Sequence, residues 1–224
     1  MTFLFQIINS SFPLGSYNYS EGLEFLVEHS TQLDTPEKFQ HWLNRELSYG
    51  SIRIDVQVML AVSRAIACDN LAQLQYWNSW LNGTRETKEL RQQSIQMGNS
   101  FLKLLGDLDP DKKIKFEALR SPLGKNCHYA IAFGIAVALW DIEPKQALLG
   151  YLHSWLSNLV SAGVKLIPLG QTQGQQIIYQ LQPMVETVTE TLLHQQERDL
   201  YGCTWGLSLA SMNHETQYTR LFRS

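Results

Sequence analysis

The chain has few of the features that mark secreted or membrane proteins. Its three cysteines, Cys68, Cys127 and Cys203, are odd in number and far apart, which fits a reducing compartment better than a disulfide framework. The longest apolar-rich stretch, residues 129–140, is much shorter than the roughly 20 residues that cross a bilayer. The N-terminus lacks the basic region of a signal peptide. These absences predict a soluble, cytoplasmic protein.

The chain also has few charged residues and no large excess of either sign. Charged residues make up 17% of the 224 residues, the net charge is −3, and the longest basic run is Lys112-Lys113. Because nucleic acids and anionic membranes attract proteins with a basic field, we expect neither as a partner. Hydrophobic residues make up 44% of the chain, which is typical of a packed globular protein.

Motifs for catalysis and for metal binding are missing as well. The six histidines include no i, i+4 pair and no CxxC motif accompanies them, so the spacing of a zinc site is absent. There is no GxSxG, Walker A or GxGxxG sequence, and the glycine turn at 170–174 lacks the lysine of a phosphate-binding loop. We therefore expect no enzyme activity, no resident metal and no cofactor.

Capping residues and prolines predict where several helices begin. Thr35-Pro36-Glu37 combines a capping residue, a proline at the first helical position and an acid at the positive end of the helix. Pro144 opens another helix, which the apolar spacing extends through about Leu166. The last long helix is expected to begin near Gly170 and to end near 199–202.

The middle of the chain predicts how these helices are arranged. Residues 129–140 are apolar on every side, which is typical of a central buried helix. Turn signals make residues 107–124 the main interruption of the helical pattern. Since neither a strand pattern nor a repeat occurs, we predict an all-α fold, with residues 1–224 forming one helical-bundle domain.

The C-terminal segment, about 204–224, is unusually dense in apolar, aromatic and arginine residues for a chain end. Trp205, Leu209 and Met212 indicate a short amphipathic helix followed by an extended tail. That tail holds residue types that dominate binding hot spots: Tyr218, Arg220, Phe222 and Arg223. Two interpretations stay open, a partner-binding segment and a C-terminal helix docked on its own core.

Two further segments carry unusual residues for loops. Residues 11–24 join a Pro-Leu-Gly turn to aromatic residues and a helix start, with Ser20 as a candidate cap. Glu21 and Glu24 would then lie in the first turn of that helix, where their charges interact favourably with the helix dipole. In residues 161–176, Lys165 continues a polar stripe along its helix, so we expect it to point to solvent or to a partner; the stripe comprises Ser154, Asn158, Ser161 and Lys165.

Together these segments resemble the UreF family of urease accessory proteins, over essentially the whole chain. The resemblance rests on FPLG and SEGLE near the N-terminus, RETKELRQQS at 85–94, YAIAFGIAVA at 129–138, SAGVKLIPLGQTQGQ at 161–175 and SMNHETQYTRLFRS at 211–224. One difference is that Gly15 is followed by Ser16, where the family commonly has a second glycine.

The resemblance implies an all-α, homodimeric, non-enzymatic maturation factor. Such proteins bind the accessory protein UreD, also called UreH, and the pair recruits the nickel-carrying GTPase UreG to apo-urease. Carried over by motif, Lys165 and Arg220 would face UreG, and Arg223 would support a UreD or UreG contact with the rest of the tail, including Tyr218 and Phe222. Weaker candidates for the same surface are Tyr19, Glu24, Gln171 and Gln175.

Two other functions are compatible with that resemblance. The chain would be a direct activator of the UreG GTPase if Arg220 or Arg223 acted as an arginine finger, which typically raises the rate about 10³–10⁵-fold. Single-turnover GTP hydrolysis by UreG separates this activator from a scaffold. A stand-alone nickel carrier is disfavoured by the small number of suitably spaced ligands.

Overall fold

The computed structural model describes residues 2–29, 33–196, 199–202 and 205–223. These residues contain α-helices and no β-strand, which confirms the predicted all-α class. The helices are α1 (Thr2–Ile7), α2 (Leu23–His29), α3 (Pro36–Tyr49), α4 (Ile52–Ala67), α5 (Leu71–Thr84), α6 (Lys88–Leu108), α7 (Lys113–Arg120), α8 (Tyr129–Leu139), α9 (Pro144–Leu166), α10 (Gln171–His194) and α11 (Trp205–His214).

Side-chain caps occur at the predicted helix starts. The Thr35 hydroxyl accepts a hydrogen bond from the Lys38 amide at 3.3 Å, just before Pro36 begins α3. At the start of α9, the Glu143 carboxylate accepts from the amides of Lys145 and Gln146 at 3.0 and 2.9 Å. These bonds satisfy amides that have no partner within the helix. The predicted bounds of α9 are confirmed.

Helix α8 lies at the centre of the core, as its apolar sequence predicts. It packs against α4 on one side and α6 on another, and Phe133 is completely buried. Gly134 permits the close approach to α4, because a Cβ atom there would lie only 2.7 Å from the Met59 carbonyl oxygen. The central buried helix is therefore confirmed.

Two predicted boundaries differ from the structure. Helix α10 ends at His194, before 199–202, and Tyr201 in the connection beyond it packs against α4, where the Arg53 guanidinium lies over its ring. The predicted interruption at 107–124 contains helix α7, because Phe116 and Leu119, three residues apart, both bury their side chains. The first boundary thus involves a contact distant in sequence, and the second involves the buried side of a short helix.

Some predictions concern residues outside the described ranges. Cys203 and the limits of the C-terminal segment, Thr204 and Ser224, belong to this group. Within the described ranges, every helix is too short or too polar to cross a membrane.

Candidate partner-binding site

Helix α11 docks on α2 and α6 through its more polar side. The Ser211 hydroxyl lies 2.8 Å from the Thr87 hydroxyl at the start of α6. Gly22, with φ +87°, allows the approach to α2, since a Cβ atom there would lie 2.9 Å from the Ser211 amide nitrogen. The predicted apolar side faces outward, with Trp205, Leu209 and Met212 exposed by 77%, 55% and 48%. This helix therefore leaves an apolar face uncovered.

His214, at the end of α11, is completely buried between two carboxylates. Its Nδ1 atom lies 2.8 Å from Glu89 Oε2, and its Nε2 atom lies 3.2 Å from Glu24 Oε2. Both ring nitrogens thus lie within hydrogen-bonding distance of a carboxylate oxygen. His214 therefore joins α11 to α2 and α6 through one side chain.

The tail beyond α11 also contacts the Glu24 carboxylate. The amides of Leu221 and Phe222 donate to Glu24 oxygens at 2.6 and 2.9 Å. The Phe222 side chain is 95% buried, and the Arg223 amide donates to the Asn18 carbonyl oxygen at 2.8 Å. The described part of the C-terminal segment is thus docked on its own core.

Arg220 is part of this docking. Its Nη1 atom donates to Glu89 Oε1 at 2.8 Å, and its Nε atom donates to the Gln217 carbonyl oxygen at 3.1 Å. We call the network of Glu24, Glu89, His214 and Arg220 the tail anchor. Of the two interpretations left open by the sequence, the docked helix describes the geometry, while the partner-binding role of the segment stays a prediction.

Lys165 completes the group beside the tail. It is exposed in the last turn of α9, and its Nζ atom lies 5.3 Å from the centre of the Phe222 ring, within cation–π range. Tyr19 is buried and hydrogen-bonds Arg223; burial raises the pKa of the Tyr19 hydroxyl, and Arg223 partly offsets that rise.

The predicted site residues are therefore only partly brought together. Those that meet at the tail are Tyr19, Glu24, Lys165, Arg220, Phe222 and Arg223. Tyr218 lies in the tail but is fully exposed. Gln171 and Gln175 are exposed at the start of α10, and their side chains make no hydrogen bond to the described tail residues. His214 and Glu89 were not predicted, although His214 follows Leu207 and Ser211 at helical spacing.

A second polar cluster lies in a partly open cavity next to residues 9–16. A cavity of about 90 Å³ is lined there by Glu21, Asp55 and Arg85 together with serine and aromatic side chains. Glu21 precedes α2 and has φ +56°, so its predicted place in the first helical turn is wrong. Ser154 and Asn158 are half-buried and also line this cavity, so half of the predicted polar stripe borders the cavity.

Burial dominates the electrostatics of this cavity. The Arg85 guanidinium pairs directly with Asp55, and burial raises the pKa of the Asp55 carboxyl against the opposing charge of Arg85. Burial likewise raises the pKa of Glu21, whose carboxylate accepts from Trp155 Nε1 at 3.1 Å. Behind this lining, the His128 Nδ1 atom lies 3.1 Å from the Ser94 hydroxyl, and burial lowers the pKa of His128 to about 3 and keeps it neutral.

We expect Glu21→Gln to reduce the loss of stability on going from pH 4.5 to pH 7. A raised pKa means that the folded chain holds this proton when the unfolded chain has released it. Stability therefore falls as pH rises from about 4.5, the ordinary value, through the raised value. Thermal unfolding across this pH range measures the effect, with exposed Glu117→Gln as the control. Parallel pH profiles for the wild type and Glu21→Gln would contradict it.

Within residues 2–29, 33–196, 199–202 and 205–223, no group of three histidine, cysteine, aspartate or glutamate side chains is arranged to hold a metal ion.

Comparison with known proteins gives one consistent family. The family model for UreF matches residues 33–182. The urease accessory protein UreF of Picosynechococcus sp. is 71% identical over 221 residues, covering 99% of this chain and 98% of the relative. Those of Nostoc sp. and Hahella chejuensis are 51% and 36% identical, each over 99% of this chain and 94% and 96% of the relative. This chain therefore belongs to the UreF family of urease accessory proteins.

Proposed function

We propose that the chain is a cytoplasmic scaffold for nickel insertion into apo-urease, with no catalysis of its own. In this role it binds UreD, also called UreH, and the pair recruits the nickel-carrying GTPase UreG. Membership of the UreF family places the chain in urease maturation. The identities of the partners come from the resemblance of its motifs to that family.

The observation that carries the proposal is the uncovered apolar face of α11. Trp205, Leu209 and Met212 lie on the side of α11 opposite to its docked side, and Tyr218 and Leu221 are exposed in the tail that follows. Exposed aromatic and aliphatic residues in one segment are typical of protein interaction surfaces. We assign this face to UreD and the neighbouring surface around Lys165 to UreG.

The contacts of Arg220 favour a scaffold over a direct GTPase activator. An arginine finger must enter the partner's active site, whereas the Arg220 guanidinium is bound to Glu89 and to backbone carbonyl oxygens. Using it as a finger would break the tail anchor. These contacts support a role for Arg220 in holding the tail in place.

We expect Leu209→Asp and Met212→Asp each to weaken binding to UreD by about tenfold, or 1.4 kcal/mol. A carboxylate on the apolar face would have to be desolvated at the interface, which is costly. Since both side chains are about half exposed, the melting temperature should hardly change. Co-expression followed by size-exclusion chromatography, and titration of the purified proteins, measure the two effects.

The matched control is Ile114→Asp on α7, where an aliphatic side chain is 83% exposed away from α11. This variant should bind UreD like the wild type. If all three variants assemble equally well with UreD, the α11 face is not the UreD surface.

We also propose that the scaffold is a homodimer, as the family resemblance implies. Sedimentation equilibrium of the purified chain tests this directly, and a monomer at micromolar concentration, both alone and with UreD, would contradict it.

A further inference from the structure

Phe222 belongs to the segment predicted to touch partners, yet its side chain is almost completely buried. The side chain that lies over its ring is Lys165, with Nζ 5.3 Å from the ring centre. We propose that Phe222 is a positioning residue, which holds Lys165 ready for UreG only while the C-terminal tail is docked. This inference rests on the proposed function, because it assigns UreG to Lys165.

The position of Phe222 is set by its backbone as well as by its ring. The Phe222 amide and the preceding Leu221 amide both donate to the carboxylate of Glu24. Two such bonds to one charged acceptor define the orientation of the tail more closely than apolar burial does. The ring therefore enters its site only when the tail runs along α2 in this direction.

The same carboxylate makes the tail depend on α11. The His214 ring is hydrogen-bonded to the carboxylates of Glu24 and Glu89. The Glu89 carboxylate also accepts a hydrogen bond from Arg220. A displacement of α11 from α2 and α6 removes His214 from both carboxylates. The ring of Phe222 and the outward face of α11 are thus two parts of one docked unit.

A neighbouring ring would restrict the Lys165 side chain before a partner binds. This side chain is exposed, and a free lysine side chain has rotamer entropy to lose on binding a partner. The Phe222 ring restricts the ammonium group before UreG arrives.

The first experiment uses the chain alone. The ε-methylene proton signals of Lys165, assigned with Lys165→Arg, should be shifted upfield by the ring of Phe222 in two-dimensional ¹H–¹³C spectra. Phe222→Leu, which keeps an apolar side chain but removes the ring, should abolish this shift while the other lysine signals stay in place. Phe222→Met serves as a second variant without a ring.

The second experiment is a double-mutant cycle on UreG binding to the complex of this chain with UreD. Phe222→Leu should weaken UreG binding about two- to fivefold, the value of an exposed cation–π contact. In the Lys165→Ala background, the same substitution should have no further effect, because its target is already absent. Lys165→Ala alone should weaken UreG binding at least as much as Phe222→Leu.

The outcomes separate the inference from the proposed function. If Phe222→Leu leaves the Lys165 signals unmoved, or weakens UreG binding equally in both backgrounds, the positioning role is wrong although the scaffold stands. If Lys165→Ala binds UreG like the wild type, both the UreG surface and the positioning role are wrong. Loss of the shift together with a non-additive cycle supports the inference.

Discussion

Replacing Arg85 with methionine should lower the free energy of unfolding by about 3–5 kcal/mol at pH 7, because it leaves a buried carboxylate without its partner. The side chains of Arg85 and Asp55 are exposed by only 10% and 13%. Glu21 lines the same cavity, so the substitution would leave two buried carboxyls without the guanidinium that favours their charged forms. Methionine fills much of the volume of arginine, which limits the contribution of a new void. Urea denaturation of the purified chain measures the change.

The pH dependence of this loss identifies its cause. Without Arg85, burial would raise the pKa of Asp55 further, since the guanidinium is what opposes that rise. Protonation then removes the unpaired charge, so the deficit should be smaller at pH 5 than at pH 7. The double substitution Arg85→Met with Asp55→Leu should recover most of the stability, as buried pairs replaced by apolar residues often do. A double variant as unstable as Arg85→Met would instead indicate a packing defect.

Local sequence signals predicted the helix starts well, because a cap acts within a few residues. Thr35 and Glu143 lie directly before prolines, and both cap the helices that follow. The end of α10 has no comparable local signal. The chain leaves that helix at His194 and packs Tyr201 against Arg53, a contact between residues 148 positions apart.

The candidate site was predictable in its members but not in its arrangement. Family-like motifs indicated Lys165, Glu24 and Phe222, yet nothing local shows that Phe222 is buried or that Glu24 accepts its amide. Glu24 and Phe222 are 198 positions apart in the chain. Periodicity also indicated the apolar side of α11 without showing which side docks. The polar side is the docked one, because His214 on that side hydrogen-bonds two carboxylates from other helices.

The polar cavity next to residues 9–16 was not predicted at all. Its charged residues, Glu21, Asp55 and Arg85, come from separate segments and form no sequence motif. Only the packing of α4, α6 and α9 around residues 9–16 places them together. A polar stripe is normally read as a solvent-facing side of a helix, so Ser154 and Asn158 could not be assigned to a cavity from their spacing.

Phe133→Ala should lower the free energy of unfolding by about 3–5 kcal/mol, the range for removing a buried aromatic side chain. Phe133 is completely buried in α8. Its ring lies nearly parallel to that of Phe101, with centres 5.6 Å apart, and edge-on to Tyr151 at 5.1 Å. Alanine would leave a void between α6, α8 and α9, because rings held by other contacts cannot fully fill it. Chemical denaturation measures the loss.

Two further variants show whether the loss comes from this void. Phe133→Leu restores most of the volume and should cost clearly less than Phe133→Ala. Tyr179→Ala removes an aromatic side chain that is 72% exposed on α10, and surface changes of this kind usually stay within about 0.5 kcal/mol. If Phe133→Ala cost no more than Tyr179→Ala, the core would not depend on packing around α8. A graded series, with alanine worst and leucine intermediate, would establish that packing of this aromatic cluster stabilises the fold.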